Sequence, residues 1–214
     1  MEPTEEMLQR DARYLALMLE HGILEPWDKE QFPYREGTVV IKCGDGDHHR
    51  IMMAQHWKNC EGGRDCHHPI AANGAPLRLA SDSKYNGDGA SHFLIGEACE
   101  AIQLKSAPTV LMLNHWPCGW AHARNISLPR CLRLCYLRKD DLRHTFHQRG
   151  LEPEPIVRTA LYVDNKFLNR CLGSSFVSAP NQILYISRDK WREASRPVGC
   201  LAEFYEDSIP RAVL

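Results

Sequence analysis

Four side chains, in two pairs far apart in the sequence, could form a metal site. Asp45 lies two residues after Cys43, and Cys118 lies three residues after His115. A His-x-x-Cys turn lets both side chains reach one ion, and two thiolates with one imidazole are a ligand set typical of zinc. The sequence therefore predicts Zn²⁺ on Cys43, His115 and Cys118, with Asp45 beside it.

The alternative interpretation needs no metal. Free cysteines are often small buried hydrophobes, so Cys43 and Cys118 could be buried thiols beside a hydrogen-bonded His115. Asp45 stands between two glycines, where it could serve as an ordinary turn residue as well as a catalytic one. We favour the metal site because two such pairs, each after an apolar run, rarely arise by chance.

The two pairs follow short apolar runs that are typical of buried strands. Residues 38–41 are rich in β-branched side chains, and 109–113 follow a predicted helix over about 91–104. Such alternation indicates a parallel sheet, in which ligands bind beyond the carboxyl ends of the strands. If these two strands are neighbours, both pairs meet at one edge of the sheet.

The remaining pattern predicts one α/β domain over 1–214, with a mainly parallel central sheet flanked by helices. An N-terminal helical arm over about 4–22 begins at the capping residue Thr4 and presents an apolar stripe that is either core or a dimer surface. A loop-rich insertion is expected over about 60–89. Further predicted elements are helices over about 49–58 and 133–147 and strands over 160–164 and 183–187.

The composition limits the class of protein. The 214 residues carry 26 basic and 27 acidic side chains, a net charge of −1, which argues against nucleic acid as a partner. The chain has no apolar run of 18 residues and no apolar leader, so we expect neither a membrane span nor a secreted protein. Nine cysteines, an odd number, fit reduced thiols in a cytoplasmic protein.

Together, the motifs resemble those of the β-class carbonic anhydrases. Cys-x-Asp after a strand, then a helix and a strand that end in His-x-x-Cys-Gly, match this family over about residues 38–123. The resemblance implies a zinc lyase, a carbonate dehydratase, that reversibly hydrates CO₂ to bicarbonate. Asp45 would be the catalytic residue, accepting a hydrogen bond from the water that the metal activates. It also implies a homodimer or higher homo-oligomer, with the N-terminal helix packed on a partner subunit.

One residue departs from the family pattern Cys-x-Asp-x-Arg. Asp47 stands where the arginine that pairs with the aspartate is expected. Without that arginine, Asp45 could become a fourth zinc ligand and close the site to water. Arg50, Arg64 and Arg78 are the cations that could replace the arginine.

Three functions therefore stay open. The first is carbonic-anhydrase-like hydration of CO₂, and the second is hydrolysis of CO₂-like molecules such as carbon disulfide or carbonyl sulfide. The third is a non-catalytic zinc-bound scaffold or binding protein on the same fold.

His48 or His122 could carry protons at the mouth of the site. The cluster of Cys60, Cys66 and the two histidines that follow matches no standard zinc spacing, so we interpret it as an ordinary loop. Cys131 and Cys135 lie four residues apart on a predicted helix and are interpreted as one packed face.

Overall fold

The computed structural model describes residues 4–26, 37–44, 50–54, 67–79, 89–173, 182–195 and 199–204. Its strands are β1 (Leu24–Pro26), β2 (Thr38–Cys43), β3 (His67–Ala72), β4 (Thr109–Trp116), β5 (Ile156–Val163) and β6 (Gln182–Ile186). Residues 50–54 form a helical segment, α2. The other α-helices are α1 (Glu5–Glu20), α3 (Ala75–Arg78), α4 (Ala90–Lys105), α5 (Gly119–His122), α6 (Leu128–Gln148), α7 (Asn165–Leu172) and α8 (Arg188–Ala194).

The strands form one sheet in the order β1-β6-β5-β4-β2-β3. β3, β2, β4 and β5 run parallel to one another, whereas β6 runs antiparallel to both β5 and β1. This confirms the predicted α/β fold with a mainly parallel sheet flanked by helices. From β2 the chain proceeds first to β3 on one side and then to β4 on the other. Such a switch point leaves a crevice at the carboxyl ends of β2 and β4.

Helix α1 lies within the bounds of the helix predicted over about 4–22. The Thr4 side chain accepts a hydrogen bond from the Met7 amide at 3.3 Å, and Gly22 adopts a left-handed φ of 61° just after the helix. Tyr14, Leu15 and their neighbours pack in a core cluster with side chains from β5, β6, α6 and α8. The apolar stripe therefore faces the chain's own core, rather than serving as a dimer surface.

Several predicted bounds need correction. Strand β4 continues through His115 to Trp116, so His115 lies on the strand itself and not in a turn after it. Helix α4 extends one residue beyond the predicted helix at each end, and Leu104 near its end is 76% exposed. Helix α6 begins five residues before the predicted start, at Leu128.

The predicted loop over 60–89 is wrong in its described part. Residues 67–72 form β3 and residues 75–78 form α3. Pro69 argued against a strand in the sequence, because proline is excluded from central strands. It is tolerated at a sheet edge, where β3 lies. Within the described helices, none is long and apolar enough to cross a bilayer. That 1–214 form a single domain stays a prediction.

Candidate metal centre

The sheet brings the three predicted metal ligands together. Strands β2 and β4 are hydrogen-bonded neighbours, with Lys42 paired to Leu113, so their carboxyl ends lie side by side. The ligand atoms of Cys43, His115 and Cys118 all lie within 4.8 Å of one another. This group joins the last residue of β2, the penultimate residue of β4 and the residue before α5. Two segments more than 70 residues apart thus meet at the switch point.

The sulfur of Cys43 is held by the backbone of the next loop. The Gly74 N–H donates to Cys43 Sγ at 3.2 Å, and Cys118 Sγ lies 4.0 Å from the same sulfur. Gly74 adopts a left-handed φ of 67°, and a Cβ built on it would lie 2.3 Å from the Trp120 ring. Only glycine therefore lets this amide reach the sulfur while Trp120 packs over it.

The two thiols interact strongly because their sulfurs lie 4.0 Å apart. Without a metal, the hydrogen bond from Cys118, together with smaller effects of His115 and the Gly74 N–H, lowers the pKa of Cys43 to about 4 against the opposing effect of burial. The same hydrogen bond and burial raise the pKa of Cys118 far above its ordinary value. The metal-free pair therefore holds one thiolate and one thiol, which share a single proton.

These residues fit a tetrahedral zinc ion. With Zn–S bonds of 2.3 Å, two thiolates at tetrahedral angles stand about 3.8 Å apart, close to the 4.0 Å between Cys43 and Cys118. His115 is 2% exposed and Cys43 is 4% exposed, whereas Cys118 is half-buried. Three ligands leave one tetrahedral position, and Cys118 marks the more open side of the cluster.

The other buried thiols nearby are packing residues. Cys131 and Cys135 lie one turn apart on the buried face of α6, as predicted. Burial raises the pKa of Cys135 to about 12 and that of Cys131 well above its ordinary value. Cys135 instead shares hydrogen bonds with the Asn114 amide, at 3.2 and 3.4 Å.

Lys42 is a buried lysine beside the centre that the sequence patterns did not indicate. Lys42 is 0% exposed, and its Nζ donates to the carbonyl of Cys43 at 3.2 Å. Side chains alternate along a strand, and Val40, Leu111 and Leu113 share one core cluster on one face of the sheet. Lys42 lies two residues beyond Val40, and His115 two beyond Leu113, so both are on that face. The sequence signal that could have identified it is a lysine within an otherwise apolar predicted strand.

The remaining predicted residues divide between those the structure describes and those it does not. Asp45 and Asp47 lie outside the described residues, as do His48, Arg64 and the Cys60 and Cys66 thiols of the second cluster. Arg50 is exposed on α2 and Arg78 is half-buried on α3. His122 is 5% exposed, and its Nε2 lies 3.5 Å from a carboxylate oxygen of Asp11. His122 is thus part of the core and not a group at an open mouth.

Comparisons with known proteins give a structural likeness but no sequence match. No protein-family model matches the chain, and no curated protein matches it. Among solved structures, the chain is similar to β-carbonic anhydrase isoform I from the protozoan Trichomonas vaginalis. The two share 14% sequence identity, with 71% of this chain and 88% of that chain covered and a TM-score of 0.35.

Proposed function

We propose that this chain is a zinc-dependent lyase that reversibly hydrates CO₂ to bicarbonate. The observation that supports the proposal is the Cys43, His115 and Cys118 cluster, whose ligand atoms lie within 4.8 Å of one another at the switch point of the sheet. Two thiolates and one imidazole are a zinc set, and three ligands leave a position for substrate chemistry.

Bound zinc would supply Lewis acidity, which lets water lose a proton near neutral pH and attack an electrophilic carbon. The chain's residues provide the surroundings for that step. Cys43 and Cys118, as thiolates, neutralise the two positive charges of the ion, and neutral His115 adds none. We assign to Asp45 the hydrogen bond that orients the attacking water.

We further propose that Lys42 takes the place of the arginine expected at position 47. A fully buried ammonium needs an anion nearby to remain charged, and Lys42 is 0% exposed. Asp45 follows Lys42 by three residues in the sequence, and we propose that its carboxylate is that anion. Arg50 is exposed and would have to leave water to do the same.

A non-catalytic zinc protein is the second candidate, and Asp47 is the observation that favours it. An acidic residue in the arginine's place adds negative charge beside Asp45, which favours binding of Asp45 to the ion as a fourth ligand. On that hypothesis the chain binds zinc but does not hydrate CO₂.

The test begins with zinc content and CO₂ hydration of the zinc-loaded protein. We expect one zinc per chain, lost in Cys43→Ser and retained in Cys200→Ser, a matched change at a half-buried thiol that is not in the cluster. CO₂ hydration at pH 7 to 9 supports the lyase. Bound zinc without hydration, and an oxygen ligand in X-ray absorption that disappears in Asp45→Ala, would establish the scaffold instead.

The assignment of Lys42 has its own test. Lys42→Met should keep zinc and lose most CO₂ hydration, and Lys42→Arg should restore part of it. Arg50→Ala is the matched control and should match the wild type. Loss of hydration in Arg50→Ala with full activity in Lys42→Met would assign the cation to Arg50.

The proposal also covers the oligomeric state and the cellular location of the protein. We propose a homodimer or higher homo-oligomer in the cytoplasm, acting on a small-molecule substrate, without nucleic-acid or membrane partners. Because the apolar stripe of α1 is covered by the chain's own core, subunit contacts would use another surface. Sedimentation equilibrium of the zinc-loaded protein measures the oligomeric state, and a monomer would contradict this part.

A further inference from the structure

Asp11 is an acidic residue in the middle of the apolar face of α1. It is 1% exposed. Leu8, Ala12, Leu15 and Trp116 belong to the surrounding core cluster. A carboxylate in such surroundings is costly unless hydrogen-bond donors or positive charge compensate for the lost water. The contacts of the Asp11 carboxylate therefore indicate its role.

Three groups from one distant segment surround the Asp11 carboxylate. Oδ2 accepts a hydrogen bond from the Trp116 indole N–H at 3.3 Å, and His122 Nε2 lies 3.5 Å from the same oxygen. Oδ1 accepts a hydrogen bond from the Leu128 backbone N–H at 3.1 Å. All three partners lie more than 100 residues further along the chain.

The same segment carries two of the three zinc ligands. Trp116 directly follows His115 on β4. The His122 backbone N–H donates to the Cys118 carbonyl at 3.0 Å, which closes the α5 turn on Cys118. One carboxylate thus contacts the strand end beside His115 and the short helix α5 that follows Cys118.

Asp11 also supplies the missing cap of α6. Ser127 occupies the N-cap position of this 21-residue helix, but its side chain makes no capping hydrogen bond. The first turn of a helix has free N–H donors and a partial positive charge. The Asp11 carboxylate meets one of these N–H groups and lies where negative charge is favoured, which fixes the start of α6 relative to α1.

From these contacts we propose that Asp11 is a positioning residue for the metal centre. It fixes the 115–122 segment so that His115 and Cys118 converge on Cys43, and it couples docking of the N-terminal helix to zinc affinity. This inference rests on the proposed zinc site. Asp11 does not touch the ion; it acts through Trp116, His122 and the start of α6.

The first experiment measures zinc affinity of Asp11→Asn by competition with a chelator. Groups that hydrogen-bond metal ligands directly contribute about 10- to 100-fold in affinity. Because Asp11 acts one residue further from the ion, we expect a loss of about tenfold, at the lower end of this range. Asp141→Asn is the matched control, because Asp141 is 59% exposed on α6 and pairs only with Arg138 among the described residues. Its affinity should equal that of the wild type. Cobalt-substituted protein should show altered d–d and thiolate charge-transfer bands in Asp11→Asn alone.

A second variant separates positioning from a merely structural role and applies if Asp11→Asn fails to fold. Trp116→Phe keeps an aromatic ring in the core and removes one donor to Asp11. Loss of one hydrogen bond, about 1 kcal/mol, corresponds to about a fivefold weaker zinc affinity. A purely structural Asp11 would lower the stability of metal-free and zinc-loaded protein equally and leave zinc affinity unchanged in both variants.

A metal-free measurement keeps this inference separate from the zinc proposal. The Cys43 and Cys118 sulfurs lie 4.0 Å apart, so a diazene oxidant such as diamide should join them by taking two electrons and two protons from the thiols. We expect slower disulfide formation in Asp11→Asn and Trp116→Phe than in the wild type. If the wild type binds no zinc, the proposed function fails, and this rate alone decides the role of Asp11. Zinc affinity and oxidation rate both within twofold of the wild type would overturn the inference.

Discussion

Gly74 gives the most direct test of how the fold shapes the metal centre. Gly74→Ala places a side chain on a residue whose φ is 67° and whose Cβ would lie 2.3 Å from the Trp120 ring. The left-handed backbone costs about 1–2 kcal/mol for a residue with a Cβ. Overpacking against a ring costs a further 1–3 kcal/mol or so. We therefore expect Gly74→Ala to lower the free energy of unfolding by about 2–5 kcal/mol.

Gly89→Ala is the matched control. Gly89 has nearly the same φ, 69°, but a Cβ there would have no atom within 4 Å. Only the backbone penalty of about 1–2 kcal/mol applies. Urea unfolding of both variants in chelator measures the difference without a contribution from metal.

The contact with Trp120 can be tested separately. In a Trp120→Ala background the ring is absent, so the cost of Gly74→Ala should fall to that of Gly89→Ala. Zinc affinity should also fall in Gly74→Ala but not in Gly89→Ala, since the Gly74 N–H holds Cys43 Sγ. Equal unfolding free energies for Gly74→Ala and Gly89→Ala in the wild-type background would refute the reasoning.

Two further predictions concern the buried thiols. In metal-free protein the pKa of Cys43 is about 4, against 9.0 for a free thiol, so between these values the unfolded chain binds the extra proton. Stability should rise with pH across that window and be lost as pH falls towards 4. Urea midpoints from pH 5 to 8.5 should show a shallower rise in Cys43→Ser, and an unchanged slope would contradict the assigned pKa. Separately, Cys135→Ala should destabilise the protein by about 1–3 kcal/mol because it deprives the buried Asn114 amide of a partner; a cost below 0.5 kcal/mol or so in urea unfolding would contradict this.

The parts of the fold that local interactions specify could be predicted from the sequence. Thr4 caps α1 through an amide three residues away, and Gly22 ends the helix by a conformation that only nearby residues determine. The β-branched run before Cys43 is a strand, as predicted. Because strands of a parallel sheet end at a common edge, the sequence predicted that Cys43, His115 and Cys118 meet if the two strands are neighbours, and the structure shows that β2 and β4 are neighbours.

Tertiary structure alone decided what surrounds those ligands. β3 contains Pro69 and could be recognised only once its place at the sheet edge was known. The burial of Lys42 depends on the fold, which places it on the sheet face where side chains of β4, β5 and β6 pack with Met52 and Met53. Asp11 finds its partners 105 to 117 residues away. Capping and periodicity act over three or four residues, whereas burial and the pairing of buried charges depend on which distant elements the fold brings together.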